Sequence, residues 1–185
     1  MRVVFTGTGK GKTTAAVGLA IRAWGHGKRV LVVAFLKDLK VSGEWRAINR
    51  IDDSALKAVS FGRTCPYRGQ DCCPGGGECI VTHSNQTDED YRLVEAGLDF
   101  VSQQLKNGYY DVIILDEIWN VYRLFPSCRE HIISILQNSS SEIDIITTGR
   151  QFPRELTDNF DLITSMDKIK HPYSRGISAR KGIDY

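Results

Sequence analysis

The segment Gly7-Thr-Gly-Lys-Gly-Lys-Thr-Thr14 combines glycines, lysines and hydroxyls at a spacing that suits a polyphosphate. A glycine-rich loop lets backbone N–H groups turn inward on an anion, and a helix starting at its end adds positive potential. Lys12 then reaches phosphate oxygens, and the Thr13 hydroxyl becomes a ligand for Mg²⁺. On this reading Gly7, Thr8, Gly9, Lys10, Gly11, Lys12, Thr13 and Thr14 are the candidate nucleotide-binding residues. The usual spacing places a glycine five residues before Gly11. Here Thr6 holds that place and the glycine is Gly7, so the loop is a variant P-loop. The alternative is a glycine-rich turn with a stray lysine. It fits less well, because an apolar run precedes the loop and a helical pattern follows it.

A second group is Asp116-Glu117, directly after the apolar run Val112 to Leu115. Buried parallel strands present their C-terminal ends at the crevice where ligands bind. Carboxylates there can hold Mg²⁺ opposite Thr13, directly or through water. Thr13, Asp116 and Glu117 are therefore the expected Mg²⁺ set, and Lys12, Thr13 and Glu117 the expected catalytic residues. A carboxylate that merely caps the next helix is the alternative for either acid alone.

The third group is cysteine. Cys65, Cys72, Cys73 and Cys79 cluster in a Gly- and Pro-rich stretch, with His83 four residues beyond. Their spacings match no standard zinc or iron–sulfur pattern. Yet a long loop with little apolar content needs a cross-link to order it. A metal, zinc ahead of iron–sulfur, is the expectation, against free thiols or a disulfide. Cys128 lies in a helical pattern and reads as a small buried apolar residue.

These groups need elements to hold them. Val3 to Phe5 reads as a strand. The helix after the loop has Ala16, Leu19, Ala20 and Ala23 on one face and stops at Gly25-His26-Gly27. Val30 to Phe35 reads as a strand buried on both faces, and Ala58 to Phe61 as a weak one. Residues 62 to 86 read as a Cys-rich loop. Thr87, with Asp90 three residues on, opens a helix with the stripe Tyr91, Val94, Leu98, Val101 and Leu105, stopped at Asn107-Gly108. Strands at Val112 to Leu115, Ile143 to Thr147 and Leu162-Ile163, with a helix over Ser127 to Gln137, complete the pattern. Alternating strands and helices predict an α/β fold: one P-loop, RecA-like domain over residues 1–185, its mostly parallel sheet flanked by helices. Trp24, Trp45 and Trp119 are expected in packing.

A chain of 185 residues suits one core, and a net charge of +2 gives no case for nucleic-acid binding. The run Val30 to Leu36 is too short to span a membrane. No signal peptide is expected, because Lys10 and Lys12 interrupt any apolar leader. The expectation is a cytoplasmic protein.

Taken together, the motifs resemble the ATP:corrinoid adenosyltransferases of the CobA/BtuR type. The resemblance rests on Gly7 to Thr14, Ala15-Ala16, Gly18-Leu-Ala20 and Arg22-Ala23, on Phe35-Leu-Lys37 with Gly43-Glu44, and on Leu115-Asp-Glu-Ile118. It is most particular in Thr148-Gly-Arg150 with Pro153, Leu156 and Asp161-Leu162. The ending Lys170-His-Pro172, Gly176-Ile177, Ala179-Arg180 and Gly182-Ile-Asp-Tyr185 also fits. It implies transfer of the 5′-deoxyadenosyl group of ATP to cobalt(I) of a corrinoid, with triphosphate leaving whole. It adds Arg22, Lys37 and Arg150 to the expected nucleotide contacts. It also implies a homodimer served by a flavodoxin- or ferredoxin-type reductant. Many members shield one corrin face with a Phe-Thr-Trp segment after the third strand. Here the region reads Phe61-Gly-Arg-Thr-Cys-Pro-Tyr67, leaving Phe61 or Tyr67 for that task. Some members also carry an N-terminal arm over the site, and no such cover is expected here. The rival readings are a P-loop kinase or ATPase, and a nucleotide-dependent corrinoid carrier without turnover.

Overall fold

The computed structural model describes residues 1–38, 42–65, 80–171, 176–177 and 180–183. Six strands build one sheet: β1 (Arg2–Thr6), β2 (Val30–Phe35), β3 (Leu56–Phe61), β4 (Val112–Asp116), β5 (Asp144–Thr148) and β6 (Leu162–Ser165). Their order is β3-β2-β4-β5-β1-β6, and every pairing is parallel. Five α-helices connect them: α1 (Lys12–Gly25), α2 (Gly43–Ile51), α3 (Asp88–Asn107), α4 (Ile118–Leu124) and α5 (Arg129–Asn138). The predicted α/β class with a parallel sheet is what forms.

Two apolar layers sandwich the sheet, and strand alternation sorts residues between them. On β2, Leu31, Val33 and Phe35 face α3, α4 and α5, where Leu98, Val101, Trp119 and Ile132 are buried. Val30, Val32 and Ala34 face α1 and α2, where Ala16, Ala20, Trp45 and Ile48 are buried. All six residues of β2 are therefore inside, which is why that strand reads as an unbroken apolar run.

Local signals set several boundaries. Thr87 and Asp90 form the expected capping box at the start of α3, a device worth about 1 kcal/mol. Gly108 ends that helix in the left-handed region, at φ 62°. Cys128 is buried, in a short 3₁₀ turn (Pro126–Cys128) that leads into α5. Trp45 and Trp119 are buried, and Trp24 donates its indole N–H to Asp53 at 2.9 Å. The packing roles expected of all three tryptophans hold.

Two helices differ from the sequence expectation. α2 lies where only a polar stretch is legible. It buries only Trp45 and Ile48 along nine residues, too short a stripe to declare a period. α4 begins one residue after β4, and its apolar residues run nearly all round it. Among the described residues, no helix is long and apolar enough to cross a membrane.

Candidate active site at the C-terminal ends of the strands

The P-loop leaves β1 and wraps against the chain that leaves β6. Gly7 holds φ +101°, and a Cβ on it would lie 2.5 Å from the Met166 carbonyl oxygen. Only glycine tolerates both conditions. Gly9 donates its N–H to that same carbonyl at 2.7 Å. Gly11, at φ 100°, hands the chain into α1.

Lys12 is 8% exposed. Its ammonium donates to the Gly7 and Gly9 carbonyls at 2.9 and 2.6 Å, so it holds the loop curled around itself. Burial lowers its pKa below the ordinary lysine value; Arg150 and Lys37 push the same way, while Glu117 and Asp116 oppose. Arg150 thus lies close enough for its charge to be felt at the loop. Thr8, Lys10, Gly11 and Thr14 are on the exposed side of the loop, with the Thr14 hydroxyl 3.4 Å from Glu44 at the start of α2.

The centre of the site is Asp116, 1% exposed at the end of β4. Its Oδ1 accepts from the Thr13 hydroxyl at 3.0 Å and from the Thr148 hydroxyl at 2.6 Å. Its Oδ2 accepts from the Lys37 ammonium at 2.9 Å. That ammonium also lies 3.0 Å from Thr13 Oγ1 and 3.0 Å from Glu117 Oε1. Burial alone would push the Lys37 pKa down, but Asp116 and Glu117 outweigh it and hold the value above the ordinary one.

Three backbone positions here are left-handed without being glycine: Leu36 at φ 58°, Glu117 at φ 64° and Gln151 at φ 55°. Each follows the end of a central strand. Such positions cost roughly 1–3 kcal/mol each and persist where the surroundings dictate them. Glu117 occupies the N-cap position of α4, but its side chain makes no capping hydrogen bond there.

The sheet order explains the convergence. One strand, β5, separates the strand carrying the P-loop from the strand carrying the carboxylates. The end of β5 therefore falls between them, and it supplies Thr148. The Thr148 hydroxyl donates to Asp116 and accepts from the Glu117 N–H at 2.9 Å. Asn120 donates to Glu117 Oε2 and accepts from the Arg150 N–H at 3.0 Å. Sequence reasoning missed Thr148 and Asn120 as site residues. Thr148 was visible in the Thr148-Gly-Arg150 motif, but its contacts depend on the strand order.

A family model described as "ATP:corrinoid adenosyltransferase BtuR/CobO/CobP" matches residues 1–185, the whole chain. The chain belongs to the ATP:corrinoid adenosyltransferase family. Among curated relatives, the corrinoid adenosyltransferase CobA of Salmonella typhimurium (strain LT2) is 30% identical over 99% of this chain and 84% of its own length. The corrinoid adenosyltransferase of Escherichia coli K12 is 29% identical over the same shares. That of a Sinorhizobium species is 27% identical over 99% of this chain and 79% of its own.

In this adenosyltransferase, then, Lys12, Thr13, Lys37, Asp116 and Glu117 converge, with Arg150 nearby. Arg22 does not join them. It is exposed in the last turn of α1, and ten residues of helix at about 1.5 Å each put it roughly 15 Å along the axis from Lys12. Thr13, Asp116 and Glu117 offer hard oxygen donors of the kind Mg²⁺ takes, already gathered about one cationic nitrogen. Phe61 is half-buried and packs against the core, its ring 6.3 Å from Phe35 and 5.6 Å from Phe100. Tyr67 lies outside the described residues.

Most of the cysteine cluster does too: Cys72, Cys73 and Cys79 are not among the described residues. Cys65 is a buried free thiol whose backbone N–H donates to Asp38 at 3.0 Å. His83 lies 3.3 Å from the Arg123 guanidinium. Among the described residues, no three His, Cys, Asp or Glu side chains group to hold a metal.

Proposed function

We propose that this adenosyltransferase moves the 5′-deoxyadenosyl group of ATP onto cobalt(I) of a corrinoid, either cob(I)alamin or cob(I)yrinic acid a,c-diamide. The cobalt lone pair attacks C5′, the Co–C bond forms, the C5′–O bond breaks, and its electrons leave on triphosphate. No proton moves in that step, so a site without a side-chain base suits it. What the step demands is position and charge: C5′ held against the metal, and anionic charge stabilised on the leaving group. Lys12, Arg150 and the loop N–H groups bind the triphosphate. Thr13, Asp116 and Glu117 hold Mg²⁺, which supplies neutralisation of the developing charge. Thr148 and Asn120 fix the two carboxylates. The same reading takes the chain as one domain working as a homodimer, with a flavodoxin- or ferredoxin-type protein as the electron source.

The observation that carries this is the family match over the whole chain, joined to Lys12 and the Thr13–Asp116–Glu117 oxygens meeting at one strand edge. The test is a product assay with ATP and chemically reduced cobalamin. Adenosylated corrinoid, seen by its spectrum, and intact triphosphate are expected in equal amounts. ADP and phosphate as the main corrinoid-dependent products would give the site to a kinase or hydrolase instead.

A further inference from the structure

Lys37 stands where a metal would. Its ammonium is 2.9 Å from Asp116 Oδ2, 3.0 Å from Glu117 Oε1 and 3.0 Å from Thr13 Oγ1. Those three oxygens come from the carboxylate strand and the loop helix, and one cation satisfies all of them. The placement is built into the backbone. Leu36 adopts φ 58° just before Lys37 and donates its N–H to the Phe61 carbonyl at 2.9 Å. Gly62 lets this turn close, since a Cβ there would lie 2.2 Å from the Lys37 nitrogen and 2.6 Å from the Leu36 carbonyl carbon. A strained residue and a glycine-only approach together aim one lysine at the cradle.

We propose that Lys37 is an internal counter-cation that excludes free divalent ions from the cradle, so that metal enters only together with nucleotide. This rests on the reading of Thr13, Asp116 and Glu117 as the Mg²⁺ set. The two carboxylates carry two negative charges, and Lys37 already neutralises one of them at contact distance. A bare divalent ion entering beside it meets an ammonium a few ångströms away, and like charges at that range repel strongly in a partly buried site. A metal–nucleotide complex brings its own phosphate oxygens. They give the ammonium new partners, and its flexible four-carbon stem lets it swing to them. The oxygens it leaves then fall to the metal. The exchange is one cation for another, with no bond made or broken covalently.

The test is equilibrium dialysis of Mn²⁺ against wild type, Lys37→Met, Lys37→Arg and Asp116→Asn, with and without ATP. Nucleotide is counted, so that ion riding on free ATP is subtracted. Without ATP, Lys37→Met is expected to bind Mn²⁺ at least about tenfold more tightly than wild type, a discounted figure for one charge removed at contact range. Lys37→Arg, which keeps the charge, should stay near wild type. In wild type alone, a readout independent of how the variants fold, ATP should raise Mn²⁺ uptake at least about tenfold. Equal uptake by wild type with and without ATP overturns the proposal, as does a folded Lys37→Met with unchanged affinity. Failure of the metal assignment itself has a different pattern. Asp116→Asn would then take up Mn²⁺ as wild type does, with and without ATP, and the proposal would fall with it.

Discussion

The two ends of the sheet use the same residue types in opposite ways. At the N-terminal edge, each carboxylate meets a single partner residue. Arg29 grips Asp111 through its side chain at 2.8 Å and its backbone N–H at 2.8 Å, while its guanidinium lies over the Tyr109 ring. The chain's amino group meets Asp144 at 2.8 Å, and Asp161 accepts from the Arg2 N–H at 2.6 Å. All of these tie one strand's start to its neighbour. At the C-terminal edge the charges crowd: one lysine serves two carboxylates, one carboxylate serves three donors, and three non-glycine residues sit in left-handed strain. The first arrangement stabilises with nothing left over. The second concentrates charge and strain that a ligand can redistribute, the pattern expected where structure yields some stability to function.

If that contrast is right, mutations at the two edges should split activity from stability. The largest loss is expected for Lys12→Ala, which removes a positive charge from the triphosphate. A lost contact of this kind is worth about 2–4 kcal/mol in the transition state, or roughly 30- to 1,000-fold in kcat/KM. Near-normal turnover in a steady-state assay would remove the loop from the chemistry.

A smaller effect is expected for Thr148→Val, which keeps the shape and deletes the hydroxyl that holds Asp116 and the Glu117 N–H. Supporting groups around a metal site typically matter by about 10- to 100-fold. Activity should fall by that order, with part of the loss recovered at high Mg²⁺, and Thr148→Ser should restore it. An unchanged Mg²⁺ requirement in Thr148→Val would make Thr148 an ordinary strand residue.

The smallest effect belongs to the other edge. Hydrogen bonds from the Arg29 side chain, then from its backbone, lower the Asp111 pKa to about 2 from 3.8. A depressed carboxylate stabilises the fold above its unfolded value and loses that contribution as pH falls through the folded value. The Asp111 contribution is therefore full above about pH 4 and is lost as pH falls through about 2. Allowing for solvent screening it is about 1 kcal/mol, some 2–4 °C in Tm for a chain of this size. Asp111→Asn should lower Tm by that amount at pH 7, flatten the acid limb of the stability profile, and leave turnover intact. A clear loss of activity in this variant would erase the contrast between the two edges.

The sequence disclosed the parts of this molecule that are local. β2 is legible to the residue, because all of it is buried and six apolar residues in a row have no other use. The placement of the glycine-rich loop after β1 and of Asp116 and Glu117 after the β4 run is legible because each follows an apolar strand directly in sequence. α2 and α4 were hidden, the first for want of apolar period and the second because it is apolar on nearly every side. Thr148 and Asn120 were hidden for a different reason. Thr148 reaches Asp116, and Asn120 reaches the Arg150 N–H, only because β5 lies beside β4, and strand order is a non-local property that no window of sequence contains. Arg22, expected only from the family resemblance, is carried away from the loop by ten residues of helix.

The seat of the P-loop carries one more consequence, in the order of assembly. The loop is encoded at the start of the chain, but its resting place is the Met166 carbonyl, which accepts from Gly9, while the Met166 N–H donates to Thr6. β1 itself lies between β5 and β6, the last two strands to be made. Contacts of such long sequence separation close late, after the entropy of a large loop has been overcome. During synthesis the first strand waits, unpaired, until β5 and β6 have emerged. The seating of this loop is thus a late product of folding, and a chain cut short before β6 would carry every residue of the loop without its seat.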